Sequence, residues 1–577
     1  MSNWEETVIR TAATWITGAA GLVCLAAAVA PGSLVVPALP GCAPPDPIEA
    51  TAELDATRPG APISPLIYGM AMPGPAHYRE LRVPLWRWGG NPSTRYNWVR
   101  GNCWNAARDW EFRNGNYGST SEEARRPSGC ADLGIAAGRE FHADALLTIP
   151  TIGWVARDDN NATRSLGVPA QSGDPVRPGS DAIAGYDPAE NRRRVSVRSL
   201  ARKPGPFVEK PDPASETIYQ DEWVHHLVRK FGTAAAGGVR FYAMDNEPDL
   251  WDATHTDMHP VRPGYDEILN RFLEYATAVK EVDPTAQVTG PVSWGWTGYF
   301  FSPRDRGSDN FQTHADRRAH GDVPFLPWFL NQVAAHDAKE HRRSLDYLDV
   351  HFYPQADGVY RQAPGAGEDG RVEALRLRST RALWDPQYED ESWIHTPVAL
   401  IPRMRQWIDR CYPGTKLALT EWNWGADDTL NGGLAVAEAL GVFGRERLDM
   451  ACYWTAPGAG SPAFFAYRMY RNADGAGNGF GDATAPVTCT DPDDVSCFGS
   501  VESATRRPIA MLLNLSQSRP AELTLTVRSS RRLTGASVYR FDGGDLKNIA
   551  HLPDTPIIAG KVHVGLPACS MTLIRCR

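Results

Sequence analysis

The sequence predicts an α/β protein: a (β/α)8 TIM-like barrel with a C-terminal β-sandwich domain. Three observations lead to this fold class. Eight short apolar runs are spread between residues 66 and 454. Amphipathic segments with helical spacing separate several of these runs. After residue 461 the helical spacing gives way to short alternating runs with turn residues between them.

The eight apolar runs are typical of strands that are buried on both faces. Strands of a parallel sheet that is covered by helices have nearly continuous apolar sequence rather than alternation. The predicted strands are Leu66–Met70, Pro84–Trp88, Ala145–Pro150, Val239–Met244, Gln287–Ser293, Tyr347–Phe352, Lys416–Thr420 and Met450–Trp454.

The segments between the runs supply the predicted helices. Examples are Asp221–Phe231, Tyr265–Val282, Pro397–Cys411 and Gly433–Arg447. Eight strand–helix units are the composition of a (β/α)8 barrel. The connection 151–220 is rich in Asp, Arg, Pro and Gly and is too long for a simple connector, so we expect an inserted loop or subdomain there.

The chain divides into four predicted segments. Residues 1–46 are a signal or anchor segment with a linker, and residues 47–64 contribute N-terminal strands to the β-sandwich. Residues 65–461 form the barrel and residues 462–577 the sandwich, because runs such as "AELTLTVR" and "KVHVGLP" alternate with period two.

Composition and the N-terminal segment indicate where the protein acts and which partners it can have. The net charge is −9 and no Lys/Arg-rich run occurs, so nucleic acid is not an expected partner. Ala12 to Ala30 carry no charge, which is typical of a signal peptide or a membrane anchor, and Cys42 follows a weak lipoprotein-like motif. We expect a secreted or cell-surface lipid-anchored, extracytoplasmic monomer that touches membrane only through this anchor.

The cysteines fit export as well. The chain has ten, none in a Cys-x-x-Cys pair, and an exported protein can oxidise them to disulfides. The short-range pairs Cys103–Cys130 and Cys489–Cys497 are candidate disulfides.

Tryptophan is abundant, with 19 residues, and many lie in predicted loops. Such rings either fill the core or form exposed platforms for the apolar faces of sugars. Clusters near strand ends favour platforms. The clusters are Trp86, Trp88, Trp98 and Trp104, then Trp294 and Trp296, then Trp422 and Trp424.

Polar side chains follow the predicted strands at their carboxyl ends, where the active sites of (β/α)8 enzymes lie. A single carboxylate at a strand end is more often a helix cap or an ion-pair partner. The conjunction of two glutamates on one rim argues against that reading. The converging residues are Arg87, Glu247, His351, Tyr353, Glu421 and Trp454.

Two carboxyl groups across a cavity suit the cleavage of a glycosidic bond. One arrives protonated and donates to the leaving oxygen, while the other is ionised and attacks the anomeric carbon. The charge of one raises the pKa of the other. A separation of ~5 Å gives retention and one of ~6.5–9.5 Å gives inversion.

The segment "FYAMDNEPDLW" raises a problem of direction. Asp245 and Glu247 are two residues apart, so strict alternation points both side chains the same way and Asn246 the other way. A bulge at the strand end would change this aim. We expect Asp245 to be a buried carboxylate that is paired with an arginine or hydrogen-bonded beneath the site.

Four segments resemble glycoside hydrolase family 44, a family of bacterial endoglucanases and xyloglucanases. They are "PLWRWGGNPSTRYNW", "MDNEPDLWDATHTDMHP", "LDYLDVHFYP" and "LTEWNWGADDTLNGGLAVAEALGVFGRE". The resemblance runs from about residue 60 to residue 577. It implies a (β/α)8 barrel with a β-sandwich and a retaining mechanism.

The resemblance also implies residue roles. Glu247 would be the general acid/base and Glu421 the nucleophile. Asn246 would hydrogen-bond the 2-hydroxyl of the sugar, which implies a bulge at its strand end. The remaining residues implied or expected to contact substrate or surround the nucleophile are Arg87, Trp296, His351, Tyr353, Trp422 and Trp454.

Metal sites are less clearly indicated. His255 and His259 are four residues apart, as zinc ligands on a helix can be, but Pro260 and the lack of a glutamate after His255 favour structural histidines. The loop Arg471 to Asp482 is rich in glycine and partly resembles a calcium loop, although a turn fits better. Metal ligands are therefore unassigned, and structural calcium is compatible with the sequence.

The sequence thus predicts a retaining endo-β-1,4-glucanase that hydrolyses xyloglucan or other β-glucans and requires no cofactor. One alternative is an exo-acting or arabinofuranosidase-like hydrolase of the same clan. The other is a non-catalytic glycan-binding protein that kept the barrel.

Overall fold

A closed barrel of eight parallel strands forms the centre of the molecule. The computed structural model describes residues 45–58, 60–104, 113–117, 121–163, 188–360 and 369–577. The ring closes where Cys452 of the last strand pairs with Gly69 of the first. The strands are Gly69–Ala71, Leu85–Trp88, Asp144–Ile149, Phe241–Met244, Gln287–Ser293, Tyr347–Phe352, Lys416–Trp422 and Met450–Tyr453.

The predicted barrel is confirmed, and the largest difference is at the start of the first strand. Pro65–Tyr68 forms a 3-10 helix, so the first strand begins only at Gly69. Pro65 has no N–H to donate to a neighbouring strand, and the Ser64 side chain accepts the hydrogen bond of the Leu66 amide. Both features favour a helical turn over an extended strand.

Helices cover the outside of the barrel. After the first strand the connection holds only the short π-helix His77–Leu81. The helices that follow the second to eighth strands are Gly129–Glu140, Gln220–Phe231, Tyr265–Val282, Phe325–Glu340, Leu400–Cys411, Leu430–Arg445 and Pro462–Arg471. Shorter α-helices in the loops are Pro188–Val195, Trp251–Thr254, Trp296–Phe300, Ala315–Ala319 and Gly370–Arg378. Single 3-10 turns are Asn91–Arg95, Glu123–Arg125, Ala234–Ala236, Pro248–Leu250, Pro303–Arg306 and Ser379–Leu383.

The boundary between barrel and sandwich lies later in the chain than predicted, because the helix Pro462–Arg471 belongs to the barrel. The sandwich was expected from residue 462, yet Pro462–Arg471 is a helix that follows the last barrel strand. Ser461 caps it by accepting from the Phe464 amide, and Pro462 occupies the first turn, which is a typical helix start. Eight of its ten residues are buried, and only Arg468 and Arg471, three residues apart, are partly exposed.

Two sheets form the β-sandwich. The four-stranded sheet has the order Val487–Cys489, Ile48–Asp55, Ala521–Arg528 and Lys561–Leu566. The six-stranded sheet has the order Ala483–Ala485, Val495–Glu502, Arg507–Asn514, Ser570–Cys576, Gly535–Phe541 and Ala550–Pro556. Ile48–Asp55 pairs in parallel with Ala521–Arg528 along its whole length, so the N-terminal segment is built into the sandwich.

The loops above the barrel carry two small sheets of their own. One consists of Tyr96–Asn97, Asn102–Trp104 and Asn114–Gly115. The other consists of Trp154–Ala156, Ser196–Leu200 and Thr217–Tyr219 and lies in the long connection between the third and fourth strands.

The barrel and the sandwich share one apolar core on the side of the last two helices. Phe465 of the eighth helix stacks on Phe541 of the six-stranded sheet, with ring centroids 4.8 Å apart. A Cβ on Gly441 would lie 2.4 Å from the ring of Phe498, so the helix Leu430–Arg445 lies very close to the six-stranded sheet.

The N-terminal predictions lie outside the described residues. The predicted leader and Cys42 belong to residues 1–44, which the structure does not describe. Within the described ranges no helix has the length and the apolar character needed to cross a membrane. All four cysteines of the predicted disulfide pairs are reduced thiols in the structure. The Cys497 thiol donates a hydrogen bond to Cys489, and the oxidation of either pair stays a prediction.

Candidate active site

The residues after the fourth barrel strand leave the extended conformation at once. Asp245 and Glu247 have φ values of 71° and 46°, in the left-handed region, which costs a non-glycine residue about 1 kcal/mol. The Asp245 amide donates to the Ile149 carbonyl and the Glu247 amide donates to the Val292 carbonyl. Alternation therefore ends at Met244, and left-handed residues rather than an inserted residue direct Asp245 and Glu247 to different neighbours.

Asp245 lies beneath the site and is fully hydrogen-bonded. Its Oδ1 accepts from the Thr94 hydroxyl at 2.6 Å and its Oδ2 from the Thr151 amide at 2.5 Å and the Thr151 hydroxyl at 2.9 Å. The Ile152 amide adds a bond of 3.1 Å to Oδ2. Burial raises the pKa of Asp245, while these hydrogen bonds oppose the shift. Of the two predicted alternatives, hydrogen bonding rather than an arginine partner is the one observed.

Glu247 and Glu421 meet at the mouth of the barrel. They are 9% and 5% exposed. An oxygen of each carboxyl group and a ring nitrogen of His351 all lie within 4.8 Å of one another. This spacing fits the ~5 Å of retaining glycosidases and is too short for the ~6.5–9.5 Å that leaves room for a water between the carboxyl groups.

A register shift in the seventh strand aims Glu421 into the barrel mouth. Val350 pairs with Leu419, but the next residue, His351, pairs with Glu421. Thr420 is therefore an extra residue on its strand, which is the geometry of a β-bulge. The bulge allows the consecutive residues Thr420 and Glu421 both to contact His351.

Two donors hold the Glu421 carboxylate. Arg87 Nη1 lies 2.7 Å from Oε1 and the Tyr353 hydroxyl lies 2.9 Å from Oε2. Burial raises the pKa of Tyr353 well above its usual value, so the phenol keeps its proton and donates it. Arg87 is fully buried, and its charge-assisted hydrogen bond fixes the Glu421 carboxylate in position.

The side chain of Asn246 is held in one orientation. Its Oδ1 accepts from Arg87 Nη2 at 2.8 Å and from the Gly90 amide at 3.0 Å, and its Nδ2 donates to Asn91 Oδ1 at 3.1 Å. These bonds tie the residue before Glu247 to the loop after the second strand. Contact of Asn246 with a sugar 2-hydroxyl stays a prediction.

Trp454 lies at the end of the eighth strand and is only partly buried. The guanidinium carbon of Arg87 is 5.5 Å from its ring centroid. A Cβ on Gly90, whose φ is +87°, would lie 2.2 Å from Trp454 Cη2, so only glycine fits there. The position of Trp454 beside Arg87 is compatible with the predicted role of its ring as the floor of the sugar subsite.

His351 lies between the two glutamates and is fully buried. Its Nδ1 is 2.9 Å from Glu247 Oε1 and 3.4 Å from Glu421 Oε2, and its Nε2 is 3.2 Å from Thr420 Oγ1. Burial lowers the pKa of His351 to about 3, against the opposing charge of Glu421. The imidazole is therefore uncharged near neutral pH.

The prediction that Trp422 contacts sugar is wrong. Trp422 is fully buried and its ring packs against Phe443 and Tyr453, with centroids 4.9 and 4.8 Å away. It follows Glu421 directly, and because successive strand residues point to opposite faces, its ring points outward, towards the covering helices.

Trp296 also has a packing role. It is 6% exposed, with the Phe300 ring 4.7 Å away and the Arg403 guanidinium 5.4 Å from its centroid. The broader prediction of exposed tryptophan platforms is wrong for most of the clustered tryptophans, because their rings are buried in the core. Those at most 6% exposed are Trp86, Trp88, Trp98, Trp104, Trp296, Trp422 and Trp424, whereas Trp294 and Trp454 keep partial exposure.

Asp249 is a site residue that the sequence did not indicate. Its Oδ2 accepts from the Ser293 hydroxyl at 2.6 Å and its Oδ1 from the Trp294 amide at 3.2 Å. Burial raises the pKa of Asp249 to about 7, and the charge of Glu247 contributes. A second carboxyl two residues after Glu247 was the available signal, but its burial depends on contacts with the fifth strand.

The described residues contain one group that could hold a metal ion, namely Glu247, His351 and Glu421. The guanidinium of Arg87 already occupies Glu421 Oε1 at 2.7 Å and would repel a second cation there, so we assign the group to acid–base chemistry. His255 and His259 do not belong to a three-ligand group among the described residues.

The glycine-rich loop from Arg471 to Asp482 forms a turn. Asp474 Oδ1 accepts from the amides of Ala476 and Asn478 at 2.9 and 3.0 Å. Asn478 Nδ2 donates to Asp474 Oδ2 at 2.6 Å, so donors from within the loop bind both carboxylate oxygens, as expected for the turn that the sequence indicated.

Comparison with known proteins connects this site to a family. The model of glycoside hydrolase family 44 matches residues 103–356. Endoglucanase A of Paenibacillus lautus is 31% identical over 503 residues, which is 84% of this chain and 67% of that protein. The chain spans about a third (36%) of a second curated relative.

Two solved structures share the fold over almost their whole length. A bifunctional glucanase-xylanase from a metagenome library is 36% identical, with a TM-score of 0.79 over 92% of this chain and 99% of that one. A xyloglucanase of Paenibacillus polymyxa, solved with xyloglucan, is 28% identical, with a TM-score of 0.80 and the same coverage.

Proposed function

The chain belongs to glycoside hydrolase family 44, and we propose that it is a retaining endo-β-1,4-glucanase that cleaves xyloglucan or other β-glucans. The observation that carries this proposal is the separation of Glu247 and Glu421, whose facing atoms lie within 4.8 Å. That spacing is shorter than the ~6.5–9.5 Å of inverting enzymes and suits direct attack by a carboxylate on the sugar.

In the first step, a Glu421 oxygen forms a bond to the anomeric carbon as the glycosidic bond breaks. Glu247 donates its proton to the leaving oxygen, so the departing chain leaves as an alcohol. Arg87 and Tyr353, at 2.7 and 2.9 Å from the two Glu421 oxygens, keep the nucleophile in place.

In the second step, the ionised Glu247 removes a proton from water. The water oxygen attacks the anomeric carbon and releases Glu421. Two inversions give net retention. Carboxyl groups and water supply all the chemistry, so the proposed reaction requires no cofactor.

The substrate class is proposed from relatives whose names record activity on glucans, xylan or xyloglucan. We also propose that the protein acts outside the cytoplasm, since such polysaccharides are too large to enter a cell. A reducing-end assay on xyloglucan, carboxymethyl cellulose, lichenan, mannan and xylan would identify the preferred polymer. An early fall in polymer length would support endo action, and release of single sugars from chain ends would contradict it.

The catalytic pair is tested by two substitutions. Glu247→Ala should abolish hydrolysis of polysaccharide but keep activity on aryl glycosides with good leaving groups, and azide should restore its turnover. Glu421→Ala should abolish both activities, since no covalent intermediate can form. Near-wild-type rates in both variants would refute the assignment, as would binding of glucans without any turnover by the wild type.

A further inference from the structure

A buried carboxylate lies directly beneath His351. Asp349 precedes His351 by two residues in the sixth strand, so both side chains point into the barrel, and Asp349 is fully buried. Thr289 Oγ1 donates to its Oδ2 at 2.6 Å and Thr420 Oγ1 donates to its Oδ1 at 2.7 Å. Both carboxylate oxygens thus accept from hydroxyl groups of the flanking strands.

The hydroxyl of Thr420 links this carboxylate to the histidine. A hydroxyl has one proton, and Thr420 gives it to Asp349. Towards His351 Nε2, at 3.2 Å, its oxygen can therefore only accept. Nε2 must carry the hydrogen of this bond.

The tautomer of His351 then fixes the direction of the next hydrogen bond. A neutral imidazole has one N–H, and if it is on Nε2, then Nδ1 is an acceptor. Nδ1 lies 2.9 Å from Glu247 Oε1 and 3.4 Å from Glu421 Oε2, and the Tyr353 hydroxyl already donates to the latter oxygen. Two acceptors would repel each other at 2.9 Å, so the proton of the bond between Nδ1 and Glu247 belongs to Glu247.

We propose that Asp349 and Thr420 are positioning residues that keep Glu247 protonated before catalysis, by holding His351 as the Nε2–H tautomer. The proposal rests on the proposed role of Glu247 as general acid/base. It assigns a task to two buried polar residues that touch neither substrate nor the reacting atoms. After the first step, the unprotonated Nδ1 faces the ionised Glu247, which favours recovery of a proton from the attacking water.

The surroundings of Asp349 determine when this arrangement holds. Burial raises the pKa of Asp349 to about 6, while its hydrogen bonds to the two threonines and the charge of Arg87 lower it. Glu421 and the thiol of Cys452 face the same space, and burial keeps that thiol protonated by raising its pKa. Above about pH 6 the Asp349 carboxylate accepts a hydrogen bond from Thr420. Below about pH 6 a protonated Asp349 can donate to Thr420 instead, which reverses the direction of the hydrogen bonds from Asp349 through Thr420 to His351.

Asp349→Asn and Thr420→Val test the proposal. In the first variant an amide replaces the carboxylate, and its NH2 group can donate to the Thr420 oxygen, which frees the Thr420 hydroxyl to donate to His351 Nε2. In the second variant the valine removes the acceptor altogether. Both changes favour the Nδ1–H tautomer, which donates to an ionised Glu247. We expect the alkaline limb of the kcat/KM profile on polysaccharide to move down by about one pH unit or more.

Three controls accompany these variants. Thr420→Ser keeps the hydroxyl and should restore the wild-type profile. Thr148→Val makes the same isosteric change inside the barrel at a buried hydroxyl without a partner among the described residues, and should leave the profile in place. Thermal unfolding of each variant identifies loss of folding, and aryl glycosides with good leaving groups, which need no acid, should lose less activity than polysaccharide.

A direct readout is the nitrogen chemical shifts of His351 in protein labelled with [15N]histidine, assigned by difference from His351→Gln. The Nε2–H pattern is expected in the wild type and the Nδ1–H pattern in Asp349→Asn and Thr420→Val. An unchanged tautomer, or an equal loss of activity on all substrates with an unmoved pH profile, would overturn the proposal. Since azide rescue of Glu247→Ala is scored separately, failure of the positioning role is distinguishable from failure of the proposed function.

Discussion

Tyr353 shows how a single hydroxyl group can orient Glu421, the proposed nucleophile. It donates to Glu421 Oε2 at 2.9 Å, the oxygen that Arg87 does not bind. Hydrogen bonds to a charged group are worth about 1.5–3 kcal/mol. The phenol therefore holds one carboxylate oxygen while the guanidinium holds the other.

Tyr353→Phe removes this donor and leaves the ring. We expect kcat/KM to fall by about 10–100-fold, because the Glu421 carboxylate loses one of the two groups that orient it. The melting temperature should stay close to that of the wild type, which thermal unfolding checks. A variant with full activity would show that Arg87 alone positions the nucleophile.

Asp245 and Glu247 show that the surroundings of a carboxyl group, rather than its residue type, distinguish one from the other. They stand two residues apart, yet one is held by Thr94 and Thr151 and the other faces His351. Their separate environments come from left-handed backbone at both residues. Residue type alone does not distinguish a buried structural carboxylate from a catalytic one.

The seventh strand places core and site residues side by side. Glu421 faces the barrel mouth, and the next residue, Trp422, is packed between the strand and the helix Leu430–Arg445. Trp454, at the end of the neighbouring strand, keeps part of its ring exposed beside Arg87. Two tryptophans at adjacent strand ends thus have different tasks.

Substitution by alanine separates these tasks. Trp422→Ala should lower the free energy of unfolding by about 3–5 kcal/mol, because it empties a buried site. Trp454→Ala should change stability by much less and instead reduce kcat/KM on polysaccharide, as expected for loss of a sugar contact. Denaturant unfolding and kinetics of both variants check this; the reverse pattern would contradict the positions assigned to the two rings.

The interface between barrel and sandwich contains an unusual buried acid. Glu438 of the helix Leu430–Arg445 accepts a hydrogen bond of 2.9 Å from Ser496 of the sandwich, and its Oε2 has no partner among the described residues. Burial raises the pKa of Glu438 from 4.5 to about 7. The folded protein therefore keeps a proton that the unfolded chain loses, and stability falls as the pH rises from about 4.5 to 7.

Glu438→Gln should remove this penalty for the whole molecule, since the amide stays neutral and its oxygen can still accept from Ser496. Relative to the wild type, the variant should gain stability across this pH range, by about 3 kcal/mol at pH 8. Melting curves at pH 5 and pH 8 measure the difference. An equal difference at both pH values would mean that Glu438 ionises alike in the folded and unfolded states.

The sequence predicted the parts of the fold that local pattern records. Apolar runs of strand length located all eight barrel strands, and period-two runs located the sandwich. It erred where packing overrides pattern. The helix Pro462–Arg471 is mostly buried because it packs against both the barrel and the sandwich, and most clustered tryptophans are buried as well.

By itself, the sequence determined the barrel, the sandwich and the strand ends from which Arg87, Glu247, His351, Tyr353 and Glu421 project, since residue order and strand length decide which side chains reach the barrel mouth. The tertiary structure alone decided their contacts. The separation within 4.8 Å, the bulge at Thr420 and the Asp349–Thr420–His351 chain depend on register between strands far apart in sequence. Hydrogen-bond direction and burial are properties of those contacts, and no local pattern encodes them.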